Sequence, residues 1–586
     1  MKSKIYILVL LAWLGTGCSK EFLNRPPLDL ESDDIFWTNE KNLRTYAYGF
    51  YTTYFVGYGT GFAFGDYFYQ GQSLNDDFAP TSPPQFNKII PASGGGWAFT
   101  NVRKANIMLE RVKGMANLDP VAQKHWIGIA RFFRGMAYYR LVKAFGDVPW
   151  YSSAITDITD DDILYKPRDP RTLVMDSVLL DFKYASENVR AADGEKGLNV
   201  TKWIVEAYMS RVFLFEGTWQ KYHLNNAAKA QEYLLAAKAA ADDVITNGGY
   251  SFNQTYRESF NNLDLSKNTE IIMYRRYATG LLTHSLNSYV NGEGQTGPNK
   301  NLMEAYLCTD GRPIGTSAVY QGDKTNEKVR TNRDPRLLDT FNPELRPPGS
   351  NNRYNKLGTS TSGYCTWKFL NDAIRDLPEG SSSVNPTHAP VIRLGEVLIN
   401  YAEAAAETGA ITQADLDKSI NKLRLRPSGT AAKLPKLEVS GGQPAIAGVV
   451  YTDPKRDPAV SEMLWEIRRE RRVELTMEGM RLDDLRRWKK LAYVDNRANP
   501  DLNRGCWINR AEWAKVPTGS WLSNVTLEGG GQEGYIIPAP NPLTDRLFIE
   551  GDKLYTKWYL DPLPLDQIKL YKDKGVDLLQ NPDWVQ

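Results

Sequence analysis

The chain has 586 residues, 42% of them hydrophobic, and its 71 Lys and Arg nearly balance 69 Asp and Glu for a formal charge of +2. A chain so balanced, with no basic run long enough to track a phosphate backbone, argues against a nucleic-acid partner, and its length is ample for a large core. Beyond Cys18 there are only Cys308, Cys365 and Cys506, far apart and odd in number, so at most one disulfide forms among them and no CxxC or Cys/His spacing marks a zinc site.

The start reads as a targeting segment. Lys2 and Lys4 precede an apolar run from Ile5 to Leu14, too short to span a bilayer, and Gly15, Thr16 and Gly17 lead into Cys18. This predicts a signal peptide over 1–17 and lipidation of Cys18, although Gly15 stands where a lipobox prefers leucine. Two or more acyl chains would anchor the protein stably. Residues 18–31, polar and proline-bearing, read as the anchor and its spacer.

A helix is predicted from Asn39 to Phe55. Between Gly57 and Gly96 the chain is rich in Gly, Pro, Ser, Asn and aromatic residues with no helical period, as in a functional loop. Helices resume at Trp97. One continues through Ile107, Leu109 and Val112, and a second runs from His125 to Phe145 and ends at Gly146 and Pro149. A further pair covers Thr201 to Trp219 and alanine-rich Asn226 to Asn247, stopped by Gly248 and Gly249. The run EIIMYRRY, ending at Tyr277, is a strand candidate. Thr279 to Asn301 and Tyr320 to Asn385 read as insertions, and loops on a rigid support are where binding tends to sit. A last helical pair is predicted from Val391 to Gly409 and from Gln413 to Leu425.

The run from Trp465 to Trp488, WEIRRERRVELTMEGMRLDDLRRW, is unusual. The stripe of Val460, Leu464 and Ile467 meets Arg471 and Glu474, and Glu466, Glu470, Glu474 and Glu478 repeat at i, i+4, where like charges repel. The ladder is expected to be held by arginines, among them Arg468, Arg469, Arg471, Arg472 and Arg481, some from a neighbouring turn. Without histidine nearby it is a poor metal site, and arginine on every side spoils a general acid. After Gly479 a second helix is predicted, with Leu482, Leu485 and Trp488 on one face.

This run closely resembles the C-terminal signature of the SusD/RagB family of surface glycan-binding lipoproteins. ARFFRGMAYYRLVKAFGDVPW from Ala130, VIRLGEVLINYAEAAAETG from Val391, MEAYLCTDGRPI from Met303 and the ending up to Trp584 resemble it too, in the right order. The resemblance implies a SusD-like, mostly α fold: tetratricopeptide-like helical pairs with a loop-rich insertion face carrying short strands. The expected organisation is a single domain over 32–586, with its helical scaffold at about 97–250 and 391–490 and ligand-binding loops at about 57–96 and 279–385. The implied function is capture of a polysaccharide or oligosaccharide and its delivery to a SusC-like TonB-dependent transporter, from the extracellular face of the outer membrane, with the lipid on Cys18 as anchor.

Neither a metal nor a cofactor is expected. His125, His223, His284 and His388 are scattered without HExxH, no GxSxG elbow occurs, and the glycines at 292, 294 and 297 run into Pro298 where a helix should open. Asn75, Asp76 and Asp77 lack the spacing of a calcium loop and read as a turn. Aromatics are the more telling feature, since sugar C–H faces lie flat on rings while their hydroxyls need polar neighbours. Trp126, Trp203, Trp465 and Trp488 sit within helices and read as packing. Trp97 emerges from a triple-glycine turn with Asn101 one turn on, and the family resemblance makes both expected glycan contacts. Tyr67, Tyr69, Tyr289, Asn291, Tyr364 and Trp367 are candidates by loop context. Two other readings stand beside this one: a peptide-binding lipoprotein of the same fold, and a glycoside hydrolase using Asp76 with Asp310 or Glu293.

Overall fold

A computed structural model of the chain describes residues 36–63, 74–81, 89–155, 157, 159–291, 296–345, 360–375, 377–380, 382–409, 411–430, 432–513, 525–540, 549–550, 553–554 and 556–584. The predicted signal peptide, Cys18 and the spacer lie outside these residues.

The protein is mostly helical. Its longer helices are α1 (Glu40–Tyr54), α2 (Thr100–Gly114), α3 (Pro120–Phe145), α4 (Arg171–Asn188), α5 (Lys202–Tyr222), α6 (Ala227–Asn247) and α7 (Leu394–Thr408), followed by the short α8 (Gln413–Lys418) and α9 (Ile420–Arg424), then α10 (Glu462–Glu474) and α11 (Arg481–Arg487). Consecutive helices pack as pairs, α2 on α3, α3 on α4 and α5 on α6, and α6 carries the stack on to α7, which packs against α10. Local chemistry sets the ends. Asp119 caps α3 by accepting from the backbone N–H groups of Val121 and Ala122, Pro120 opens its first turn, and Gly146 at φ +76° ends it. Between α5 and α6 the axes approach so closely that a Cβ on Gly217 would lie 2.6 Å from Leu234.

Helix α4 is absent from the sequence reading. Its buried face includes Arg171 and Asp181, which interrupt the apolar period; Arg171 pairs with Glu216 of α5 at 2.7 Å and Asp181 with Arg134 of α3 at 2.7 Å. The helix predicted from Val391 begins at Leu394 instead. Ala389–Arg393 form strand β2, antiparallel to β1 (Ile271–Arg275), the predicted strand candidate. The helix predicted from Gln413 breaks at Ser419 into α8 and α9.

Four apolar clusters lie among the described residues, one of them a small group of Leu265, Ile271 and Tyr274. The largest runs through α1 to α6 with Phe133, Phe182 and Phe213. A second, around Tyr256, Tyr306, Phe341 and Phe369, supports the insertion segments. The third joins α7 to α10 through Leu398, Leu416 and Ile467. Helix α10 thus sits where scaffold and insertions meet.

Candidate functional site

Helix α10 divides its charges between two faces. Glu466, Glu470 and Glu474 recur at i, i+4 and are buried, as is Glu478 beyond the helix end. Their partners come chiefly from distant segments. Arg424 on α9 reaches Glu470 at 2.7 Å and Glu466 at 3.1 Å. Arg336 bridges Glu470 at 2.8 Å and Glu474 at 3.2 Å. Arg393, at the end of β2, meets Glu474 and Glu478 each at 2.6 Å, and Lys368 meets Glu478 at 2.8 Å. Arg426 Nη1 lies 2.9 Å from Glu474 as an ion pair without hydrogen-bond alignment, while its Nη2 donates to Glu270. The expectation that the run supplies its own partners holds only for Arg469 with Glu466. A helix cannot neutralise an i, i+4 acidic row from the same row, so the arginines of α10 point elsewhere: Arg468 to Glu407, Arg471 to Asp484 and Arg472 to Asp77.

This network keeps carboxylates charged in a dry interior. Burial alone would raise Glu474, but Arg426, Arg393 and Arg336 outweigh it and hold the carboxyl at about 2. Burial dominates at Glu466, whose pKa is raised. It also lowers the Lys368 ammonium to about 8, even though that ammonium donates to Glu478. The first turn of α7 fits the network only because residue 395 is glycine: a Cβ there would collide with Arg393 Nη1 and lie 2.5 Å from Glu474 Oε1.

The other face of α10 opens into a cavity of about 830 Å³, within the range of small-ligand sites. Trp465, Arg468, Arg469 and Arg472 line it at i, i+3, i+4 and i+7, one helical face. Arg481 and Trp488, the segment around Asp453 to Pro458, Asn301, Glu304, Tyr320, Tyr493 and Asn499 complete the wall. Trp465 and Tyr493 are half-buried, their ring centroids 6.4 Å apart at 70°. Each is fixed by a carboxylate: Trp465 Nε1 donates to Asp453 at 2.8 Å, and the Tyr493 hydroxyl donates to Asp457 at 2.5 Å. Both rings are therefore oriented before any ligand arrives, which lowers the ordering cost of binding. Asp76, in the predicted turn, accepts from Arg481 Nε at 2.7 Å and Nη2 at 2.8 Å. Burial would raise its pKa, but Arg472 and Arg481 hold it well below the usual carboxylate range. A carboxyl held ionised in this way is a poor general acid. Asp310 is folded into its own turn, accepting from Arg312 N–H and the Ser317 hydroxyl, and Glu293 lies outside the described residues. Among the described residues no cluster of His, Cys, Asp and Glu is arranged to hold a metal.

Trp97 and Asn101, expected from the resemblance, and Tyr364 and Trp367, candidates by loop context, lie outside the cavity lining. Trp97 is buried in the helical core, edge-on to Phe99 and Phe145 at 5.4 and 5.1 Å, and Asn101 is half-buried in the first turn of α2. Tyr364 is buried in the second core. Trp367 is half-buried with the Arg257 guanidinium 4.0 Å over its ring. Tyr289 and Asn291 fall on a short helix, Leu286–Asn291, with side chains outside the described set, as Tyr67 and Tyr69 are altogether. None of the described ones lines the cavity. Of the cavity aromatics, Trp465 and Trp488 read from sequence as packing, and Tyr320 and Tyr493 carry no signal there. For Trp465 the signal was present in the i, i+3, i+4, i+7 grouping, but its arginines were assigned to the ladder.

Residues 217–584 match the SusD family, and residues 97–214 match a family described as starch-binding associating with outer membrane. A curated relative, SusD-like protein P38 of Formosa agariphila, is 23% identical over 527 residues, covering 84% of this chain and 92% of its own. The structure is similar in fold to a SusD-like carbohydrate-binding protein from Bacteroides fragilis, with a TM-score of 0.62, 20% identity and coverage of 91% of this chain and 99% of that one. It is also similar to a structure solved with a xylogluco-oligosaccharide, with a TM-score of 0.50, 16% identity and coverage of 82% and 87%.

Proposed function

The chain belongs to the SusD family, and from that premise we propose that it captures an extracellular glycan without cleaving it and passes it to a partner TonB-dependent transporter. In this reading the lipid on Cys18 tethers it to the extracellular face of the outer membrane, which agrees with the outer-membrane association in the description of the second matching family. The observation that carries the reading is the cavity beside α10, whose half-buried Trp465 and Tyr493 lie among fixed polar groups. Sugars are bound by such a mixture, rings against their C–H faces and polar side chains around their hydroxyls. The carbohydrate-binding relative and the oligosaccharide complex support it.

The electrostatics of Asp76 support binding without cleavage. A glycosidase needs one carboxyl protonated near neutral pH, whereas Asp76 is held ionised by two arginines. Tyr67, Tyr69, Tyr289 and Asn291 stand as proposed further contacts on the insertion face. The packing of Trp97 and Tyr364 supports a framework role for those two.

Affinity electrophoresis of the mature protein against plant, host and microbial polysaccharides tests the reading. Retardation by one glycan with no reducing sugar released is the expected result, and Trp465→Ala should abolish the retardation. Retardation by none, with peptides binding instead, would refute glycan capture.

A further inference from the structure

The hydrogen-bonding inventory of the cavity is lopsided. Its carboxylates are all engaged: Asp76 by Arg481, Glu304 by Lys300 and Lys455, Asp453 by Arg469 and Trp465, and Asp457 by Lys490 and Tyr493. The amide oxygens are taken as well, Asn301 Oδ1 by Asn499 Nδ2 at 3.0 Å and Asn499 Oδ1 by the Asp501 N–H at 3.1 Å.

Donors, in contrast, are left over. Arg472 uses Nε and Nη2 on Asp77 and the Asp76 backbone, Arg481 uses Nε and Nη2 on Asp76, and Arg468 uses Nη2 on Glu407 and Tyr222. The Nη1 groups of all three make no hydrogen bond among the described residues. Arg468 Nε is buried and unpartnered as well, in a residue only 5% exposed. Arg472 and Arg481 converge on one carboxylate, Asp76, at 3.5 and 2.7 Å, so the two guanidinium groups are neighbours in the wall. Arg468 stacks 4.3 Å over the Trp488 ring, which fixes its plane.

A wall with unused N–H groups and occupied acceptors is matched by a ligand group that only accepts. A sugar hydroxyl brings its own donor, which would have to share a carboxylate or amide oxygen that already accepts from the wall, while a ligand carboxylate only accepts and makes charge-assisted bonds to guanidinium. The planar fork of a guanidinium lets two N–H groups meet the two oxygens of a carboxylate. Building on the glycan-capture reading, we infer that this cavity selects an acidic saccharide, seating a sugar-ring carboxylate on the free edges of Arg468, Arg472 and Arg481 with the sugar face against Trp465.

The test changes the ligand and leaves the protein intact. Trigalacturonate, trimannuronate and a hyaluronan tetrasaccharide are titrated calorimetrically into the full-length mature protein, each beside its carboxyl-reduced, neutral counterpart. At least one acid should bind, and reduction of its carboxyls should weaken it about tenfold or more, the scale of one charge-assisted hydrogen bond. Raising the salt from low to high should weaken the acid and leave the neutral form unchanged. Arg481→Lys, which keeps a cation for Asp76 but removes the planar fork, should weaken the acid more than its neutral counterpart, and an equal loss for both would mark Arg481 as structural. Equal binding of acid and reduced forms, or binding only by neutral or only by sulfated glycans, would overturn the acidic-sugar assignment and leave glycan capture standing. Binding by no saccharide, acidic or neutral, would overturn both.

Discussion

The two faces of α10 use the same residue types to opposite ends. On one, Glu466, Glu470 and Glu474 are closed in by Arg336, Arg393, Arg424 and Arg426, drawn from three separate stretches of chain. On the other, Arg468, Arg472 and Arg481 line an open cavity, each paired with a carboxylate and each keeping an N–H group that makes no hydrogen bond among the described residues. The first arrangement locks the scaffold to the insertions; the second leaves directed donors on a rigid surface. Charge alone therefore does not distinguish structural from ligand-binding arginine. What distinguishes them is whether every N–H has been answered.

The sharpest way to break the comparison is to remove a carboxylate from the closed face. Glu474→Ala leaves Arg336, Arg393 and Arg426 buried without their shared partner and should destabilise the fold by about 3–5 kcal/mol in denaturant unfolding. The equivalent intervention by pH has a defined sign. Glu474 and Glu403 are buried, which alone would raise them, yet Arg426, Arg393 and Arg336 around the first and Arg487 and Arg471 around the second depress each to about 2. A depressed carboxyl stabilises the fold above its unfolded value of about 4.3, and that stabilisation is lost as pH falls toward 2. Urea midpoints should therefore drop steeply between about pH 4.5 and 2.5, with Glu466, raised by burial, working weakly in the opposite sense. A midpoint flat over that range would contradict the charged network.

Gly395→Ala places a methyl group against Arg393 and Glu474 and should destabilise by about 1–3 kcal/mol, the scale of overpacking in a tight interior. On the open face the expectation reverses: half-buried Trp465 contributes little to the core, and Trp465→Ala should cost less stability than any of these while removing glycan binding. A melting temperature that falls as far as in Glu474→Ala would place Trp465 with the closed face instead.

Much of this was legible in the residues. The helical pairs follow from apolar period and stop signals, such as Gly146 after α3, and the i, i+4 ladder announced that its partners had to be cationic. What the sequence hid is long-range. Arg336 lies 134 residues from Glu470, and Arg393 81 residues from Glu474, so no local pattern could pair them. Helix α4 went unseen because Arg171 and Asp181 stand on its buried face, where an apolar residue is expected, and are satisfied only by α5 and α3. Trp97 shows the converse, a residue whose surroundings the sequence does not give. A triple glycine before an aromatic reads as a loop, yet the turn folds the indole back onto Phe145.

The most direct test of the account is a crystal structure of the protein with its captured oligosaccharide. Sugar density in the cavity, with one ring against Trp465 and its polar groups on Arg468, Arg472 or Arg481, is the predicted result. Density confined to the insertion face, with the cavity beside α10 filled by solvent, would contradict it.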